Sequence, residues 1–195
     1  MAPPRKHDTD RILDAARALV LRDGPRAASV AAIARESGAP AGTLYHRFGS
    51  RDKLLEAAWL RALERFQQRV LAAADVPDPL EAAVAMARSH VSFASASPDD
   101  ARLLLTLRRD DLLDADPGHD LRARLDAINA PLAAALAALT KPLTGRSDRR
   151  SSDAVVRAIV DLPNAAIRRH LRDGVPLPSW LATEVAAAAR RLLTP

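Results

Sequence analysis

The spacing of apolar residues is the feature that most limits what this chain can fold into. Over nearly its whole length, apolar side chains recur every three or four residues, which is the period of an α-helix, and no stretch of useful length alternates as a β-strand does. The first segment has possible caps at Asp8 and Thr9 and ends at Gly24-Pro25. Its apolar stripe consists of Ile12, Ala15, Ala16, Leu19 and Val20. We therefore predict an all-α fold of about nine helices.

Two short helical segments follow, separated by a tight turn. Ser29 can cap the first, Gly38 ends it, and the second runs from Pro40 to Phe48 and closes at Gly49. A cap at Ser50 then begins a much longer helix. Short helices joined by a glycine-containing turn are typical of a helix-turn-helix, which places its second helix in the major groove of DNA. The same pattern also fits a helical hairpin in any bundle.

From residue 75 onward, proline replaces glycine as the residue that marks helix ends. Asp78-Pro79 and Ser97-Pro98 each combine an N-cap with a proline in the first turn, where its missing N–H costs nothing. Farther along, Pro131 should kink a long helix and Pro163 should interrupt a later one. Two loops are predicted, an acidic one from Asp110 to Asp120 and one from Thr144 to Ser152.

The positive charge of the chain is concentrated near its N-terminus. Of the formal net charge of +5, four units fall within residues 1–55 and one within the other 140 residues. A polyanion could bind there, although an ordinary solvated surface would have the same charge.

The sequence offers little for catalysis or for binding a metal. It has no cysteine, which excludes disulfides, thiolate metal sites and thiol nucleophiles. Its five histidines form no motif of a hydrolase, a nucleotide-binding loop or a zinc site. We therefore predict that the protein is not an enzyme and needs no metal or cofactor. Because no signal peptide or membrane span is visible, we expect a cytoplasmic protein without a membrane partner.

Residues 29–55 also carry a family resemblance. The segments Ser29-Val30-Ala31-Ala32-Ile33-Ala34, Ser37-Gly38 and Gly42-Thr43-Leu44-Tyr45-His46-Arg47-Phe48-Gly49-Ser50-Arg51-Asp52-Lys53-Leu54-Leu55 resemble the DNA-binding region of the TetR transcriptional regulators. The resemblance implies a helix-turn-helix DNA-binding domain at residues 1–55 and a helical ligand-binding and dimerisation domain at 56–195. It also implies a homodimer that binds a palindromic double-stranded DNA operator, usually as a repressor, and is released by a small-molecule effector. A helical adaptor protein that does not bind DNA is the alternative.

The resemblance assigns roles to residues around the predicted turn. Ser29, Thr43, Tyr45 and Arg51 match positions that meet DNA phosphates in the family, and Lys53 lies near Arg51. His46 and then Arg47 are the candidates for reading base edges. The family's usual Val-Ser after the turn is Ala39-Pro40 here, and Ala41 stands where a polar residue is common. Small residues allow close approach to the groove, so the remaining predicted contacts are Ala39, Pro40, Ala41 and Gly42.

Two further sets of residues are predicted in the second domain. The helices of residues 79–95, 98–110 and 119–140 should enclose a largely aliphatic effector cavity, with His90 and Asn129 as polar anchors. Its predicted lining is Met86, His90, Phe93, Leu104, Leu107, Ile128, Asn129 and Leu132. The last two long helices should form the dimer interface, although their apolar faces could instead complete the core of one chain. The predicted interface residues are Val155, Val156, Ile159, Val160, Ile167, Trp180, Leu181, Val185 and Leu192.

Overall fold

The computed structural model describes the backbone of residues 5–107 and 119–194 and the side chains of 9–107 and 121–194. Within these ranges the chain is helical and contains no strand, so the predicted all-α fold is confirmed. The helices are α1 (Arg5–Asp23), α2 (Val30–Ser37), α3 (Ala41–Phe48), α4 (Arg51–Ala72), α5 (Pro79–Ala96), α6 (Pro98–Thr106), α7 (His119–Thr144), α8 (Arg149–Val156), α9 (Leu162–Asp173) and α10 (Leu181–Leu193). A 3₁₀ turn (Pro25–Ala27) precedes α2, and a π-helical turn (Arg157–Asp161) joins α8 to α9.

Most of the predicted helix starts are confirmed because side chains cap them. Ser29 Oγ accepts a hydrogen bond from the Ala32 N–H, Ser50 Oγ accepts one from the Lys53 N–H, and Asp78 accepts one from the Glu81 N–H. Gly38 ends α2 with a φ of 72°, a left-handed conformation that favours glycine.

Three predicted helix starts differ in the structure. Helix α1 begins at Arg5, so Asp8 and Thr9 lie inside it, because the preceding Arg, Lys and His are compatible with a helix. Ser97 precedes α6 but its side chain makes no capping hydrogen bond. Pro40 is the N-cap of α3 rather than its first helical residue.

The second half of the chain is more continuously helical than predicted. Helix α8 begins inside the predicted loop, because Asp148 accepts a hydrogen bond from the Ser151 N–H and caps it. Helix α7 continues through Pro131. Pro163 does not interrupt the later helix, since the π-helical turn before it widens the helix where the proline ring would clash. The acidic loop from Asp110 lies outside the described residues as far as residue 118.

One continuous helical rod consists of α8, the π-helical turn and α9. If this rod is counted as one helix, the described ranges contain nine helices, which is the predicted number.

The core joins α6 to the first three helices. Leu103 of α6 and Leu107, which directly follows this helix, are buried in one cluster with Ile12 of α1 and Leu44 of α3. The long helix α4 contributes Leu54 to the same cluster, whereas its other end, at Val70, packs in a separate cluster with α5 and α8. Helix α6 also contacts α5 and α9, so it links the first three helices to the second half of the chain. Among the helices described, none combines the length and apolarity needed to span a bilayer.

Candidate nucleic-acid interface

Helices α2 and α3 form a helix-turn-helix whose inner face is apolar. Ile33 of α2 and Leu44 of α3 are buried against α1 and α4. The turn between them passes through Gly38, and Ser37 Oγ accepts a hydrogen bond from the Ala39 N–H. These contacts hold α3 with its opposite face directed outward.

The outer face of α3 provides a compact exposed surface. Tyr45 is 55% exposed, His46 is also exposed, and a Cβ added at Gly42 would meet no atom within 4 Å. Among the predicted DNA contacts, the exposed residues are Ser29, Pro40, Ala41, Gly42, Tyr45, His46 and Lys53. The half-buried ones are Ala39, Thr43, Arg47 and Arg51. The predicted contacts thus lie on or beside α2, α3 and the start of α4, and most of them are exposed.

The contacts of Arg51 differ from the phosphate contact that the resemblance implies, because its guanidinium is bound to other atoms of the protein. Its Nε donates to the Ala28 carbonyl at 3.0 Å, its Nη2 donates to the Pro25 carbonyl, and its Nη1 pairs with Asp52 at 2.6 Å. Arg51 therefore fastens the 3₁₀ turn to the start of α4. A phosphate contact would require these bonds to be exchanged.

Two other predicted cations are also bound to protein atoms. Arg47 Nη1 donates to Thr9 Oγ1 at 2.7 Å, which ties α3 to α1. Lys53 Nζ lies 2.8 Å from the buried carboxylate of Glu56, which also pairs with Arg124 of α7. The cationic side chains that the sequence suggested for DNA are largely used in holding the helices together.

Arg11 of α1 is the residue that sequence reasoning missed. Its exposed side chain lines a notch of about 180 Å³ beside the turn, together with Ser37, Gly38, Ala39, Pro40 and Thr43. Arg11 has no ion-pair partner among the described residues. It lies 32 positions before Thr43 in a different helix, so only the packing of α1 against α2 brings the two together.

A second site lies between the helices of the C-terminal part. A cavity of about 230 Å³ is lined from α4 by Trp59, Leu63 and Phe66, from α5 by Phe93, from α6 by Ala101, Leu104 and Leu105, and from α9 by Asn164, Ile167, Arg168 and Leu171. Of the predicted lining residues, Phe93 and Leu104 border this cavity. The contribution of α9 was not predicted.

The other predicted lining residues lie elsewhere in the structure. Met86 and Leu132 pack with α8, whereas Leu107 and Ile128 pack in the cluster that includes α1. Asn129 is exposed on α7, and its Oδ1 accepts a hydrogen bond from Gln67 Nε2 at 2.7 Å.

His90 is a buried core residue rather than a lining residue of this cavity. Its ring lies edge-on to Phe66, with centroids 4.9 Å apart, and Nδ1 donates to the Met86 carbonyl at 3.0 Å. Burial lowers the pKa of His90 to about 4, and the hydrogen bond to Met86 offsets this only in part. The imidazole is therefore neutral at physiological pH.

The predicted dimer residues need correction, because five of them are buried within one chain. Val155, Ile159, Ile167, Leu181 and Val185 pack against the chain's own helices and cannot also face a second copy. Val156 and Val160 are half-buried, and Trp180 and Leu192 are more than half exposed. Of the nine predicted interface residues, only these four remain available.

The described residues contain no group of three or more His, Asp or Glu side chains arranged to hold a metal ion.

Comparisons with known proteins agree with this architecture. Residues 12–58 match the family described as bacterial regulatory proteins, tetR family. Over 190 residues the chain is 30% identical to the HTH-type transcriptional regulator AlkX of Mycobacterium tuberculosis, an alignment that covers 95% of this chain and 83% of that protein.

Solved structures of such regulators share the fold over almost the full length. The TetR family regulator PfmR from Thermus thermophilus is 26% identical with a TM-score of 0.65, and the match covers 94% of this chain and 97% of that one. FadR from Bacillus subtilis, solved in complex with stearoyl-CoA, is 17% identical with a TM-score of 0.72 and the same two coverages. The second likeness concerns the fold alone.

Proposed function

Because the chain belongs to the TetR family of bacterial regulatory proteins, we propose that it binds a palindromic DNA operator as a homodimer, represses transcription there, and is released by a small molecule. The family makes it a transcriptional regulator and not an enzyme. The exposed face of α3 carries the DNA part of the proposal. Tyr45 and His46 present polar groups on this face, and Gly42, which has no side chain, allows the helix to approach DNA closely. Leu44 holds the opposite face of the helix in the core.

We assign base reading to His46 and phosphate contacts to the hydroxyls of Ser29, Thr43 and Tyr45. His46 is exposed, and its ring makes no hydrogen bond with any protein atom among the described residues. An imidazole can bond to base edges in the major groove, whereas hydroxyls bond well to phosphate oxygens. Ser29 Oγ accepts from the Ala32 N–H and keeps its own proton to donate. Small contacts from Ala39, Pro40, Ala41 and Gly42 would complete the fit.

The DNA part is tested by comparing a duplex from the DNA that flanks the chain's own gene with a scrambled duplex of the same composition. His46→Ala should lower the discrimination between them by about 1–3 kcal/mol and leave the salt dependence unchanged, because base contacts release no counterions. His170→Ala, on α9, is the matched control and should change neither quantity. Fluorescence anisotropy over a salt series measures both. Equal binding of the wild type to both duplexes would contradict sequence-specific regulation, and no DNA binding at all would favour a helical adaptor.

We place the effector in the cavity between α4, α5, α6 and α9. Its walls are mostly apolar, and Asn164 and the exposed Arg168 lie at its edge. Trp59 lines the cavity, and its buried indole N–H has no acceptor among the described residues. These groups favour a largely apolar effector that carries a hydrogen-bond acceptor or a negative charge.

The volume of the cavity sets the scale of the effector. About 230 Å³ is less than the roughly 300–1,000 Å³ typical of drug-sized ligands, so a molecule as large as the stearoyl-CoA bound to Bacillus subtilis FadR does not fit it without rearrangement. A thermal-shift screen of small monocarboxylates against neutral and cationic compounds of equal size tests this assignment. Stabilisation by the cationic compounds alone would contradict it.

Helix α6 connects the cavity to the DNA-binding helices. Ala101, Leu104 and Leu105 line the cavity, while Asp100 in the first turn of the same helix pairs with Arg17 of α1. An effector that displaces α6 would therefore move α1 and the helix-turn-helix packed on it. Release follows if the two recognition helices of a dimer no longer match one helical turn of DNA, roughly 34–36 Å.

A further inference from the structure

The cations near the helix-turn-helix whose side chains the structure describes fall into two groups. Those with partners inside the protein are Arg17, Arg22, Arg47, Arg51 and Lys53. Those without an ion pair or hydrogen bond among the described residues are Arg11, Arg26 and Arg35. Only the second group can bind a phosphate without first giving up an intramolecular partner. The family resemblance had pointed to Arg51, which belongs to the first group.

Arg11 differs from the other two because it borders α3. Its guanidinium lines the notch beside the turn, and Pro40 and Thr43 of the recognition segment line the same notch. The guanidinium lies beside the turn, since Arg11 Nη2 is 3.6 Å, an ordinary contact distance, from the point that a Cβ at residue 38 would occupy. Arg26 belongs to the 3₁₀ turn. Arg35 lies in the last turn of α2, where a positive charge interacts favourably with the helix dipole.

The chemistry of the notch is suited to one oxyanion. None of the six residues that line it is acidic, and no described group hydrogen-bonds to Thr43 Oγ1. Its volume of about 180 Å³ equals that of roughly six water molecules at ~30 Å³ each, which is ample for a phosphate group. A guanidinium and a hydroxyl side by side offer charge-assisted hydrogen bonds to such a group.

We propose that Arg11, with Thr43, forms a phosphate site in which the DNA backbone beside the recognition helix is held, and that Arg11 rather than Arg51 carries the main electrostatic contact. This inference rests on the proposed function and assigns it a residue outside the matching motif. Because the contact is to a phosphate, it acts on every DNA sequence alike and adds to the salt dependence of binding.

The test uses the full-length protein and two unrelated duplexes of about three helical turns, roughly 30 bp, in fluorescence anisotropy at several salt concentrations. Arg11→Gln should weaken binding to both duplexes by the same factor and reduce the slope of log K against log salt by about 0.9 per protomer. Arg11→Lys, which keeps the charge, should retain most of the slope. Thermal unfolding of Arg11→Gln should match the wild type, because Arg11 has no ion pair or hydrogen bond to lose among the described residues.

Arg149→Gln is the matched control, since it removes one exposed arginine from α8, which packs against α7 and α10. It should leave the slope unchanged. An unchanged slope in Arg11→Gln would overturn the phosphate site, and so would a loss confined to one of the two duplexes. If the wild type bound neither duplex in a salt-dependent way, the proposed function itself would fail instead.

Discussion

At the scale of single residues, the conformation of Arg51 shows how a motif residue can serve the fold. The Pro25 and Ala28 carbonyls belong to the 3₁₀ turn that connects α1 to α2, and both accept a hydrogen bond from this guanidinium. Ala28 is buried, and its carbonyl needs this partner because an unsatisfied buried acceptor costs roughly 1–3 kcal/mol. The Pro25 carbonyl also accepts a hydrogen bond from the Ala28 N–H. The same side chain also neutralises Asp52 in the first turn of α4.

We therefore expect Arg51→Gln to act first on stability. The variant should lose about 1–3 kcal/mol of unfolding free energy, because the glutamine is shorter and cannot reach both carbonyls. Urea unfolding should show this as a lower midpoint at an unchanged m-value. Arg26→Gln, in the same turn, should stay within about 0.5 kcal/mol of the wild type. A variant at Arg51 that kept full stability but lost salt-dependent DNA binding would restore the phosphate role that the resemblance implies.

At the scale of helices, α6 is short but connects two parts of the molecule. Its buried Asp100 accepts from Arg17 of α1 and, at 3.1 Å, from Arg65 of α4. One face of α6 packs into the cluster shared with α1, and residues of the same helix line the cavity. The carboxylate therefore fixes how α6 lies against the DNA-binding helices.

Asp100→Asn should accordingly destabilise the protein. We expect a loss of about 2–3 kcal/mol, less than the ~3–5 kcal/mol of a fully buried pair, because the Arg65 side chain is 42% exposed. Asp99→Asn is the matched control in the same first turn of α6, and its loss should be limited to the helix-dipole effect of about 0.3–1 kcal/mol. Denaturant unfolding of the two variants gives the difference. Equal losses in both would show that Asp100 acts only through the dipole.

Helix ends were predictable from the sequence where a single side chain determines them. Ser29, Ser50 and Asp78 cap helices through contacts three residues away, and Gly38 supplies a left-handed turn, so neighbouring residues contain the whole signal. The continuous rod from α8 to α9 was not predicted, since whether Pro163 breaks a helix or is absorbed by a π-helical turn depends on what the helix packs against.

The candidate site divides in the same way. The exposed face of α3 follows from helical periodicity, so Tyr45 and His46 were predictable. The role of Arg51 was not, because its hydrogen-bond acceptors lie more than 20 residues away in the chain. The position of Arg11 was not, because the residues that line the notch with it are equally distant in the chain. Helical spacing likewise could not tell the buried Val155 and Ile159 from the half-buried Val156 and Val160.

At the scale of the whole molecule, the surface left for a second copy is narrower than the sequence suggested. The rod formed by α8 and α9 keeps Val156 and Val160 partly exposed, four residues apart, and Trp180 and Leu192 protrude near the two ends of α10 with exposures of 58% and 55%. Exposed apolar side chains mark an interaction surface where they form a contiguous patch, so the proposed homodimer requires these four to lie on one face. A stable dimer buries about 800 Å² per partner, so the proposed interface would also include polar neighbours of these residues.

Val160→Asp should separate the proposed dimer, because a carboxylate at the centre of such an interface is desolvated without a partner. Val76→Asp, an exposed apolar-to-acid change in the connection between α4 and α5, is the matched control and should remain dimeric. Sedimentation at micromolar concentration distinguishes the two states. Since a monomer reaches only one half-site, Val160→Asp should also lose most of its preference for a two-half-site operator over a single half-site. A Val160→Asp protein that stayed dimeric would place the interface elsewhere, with Trp180 and Leu192 of α10 the next surface to test.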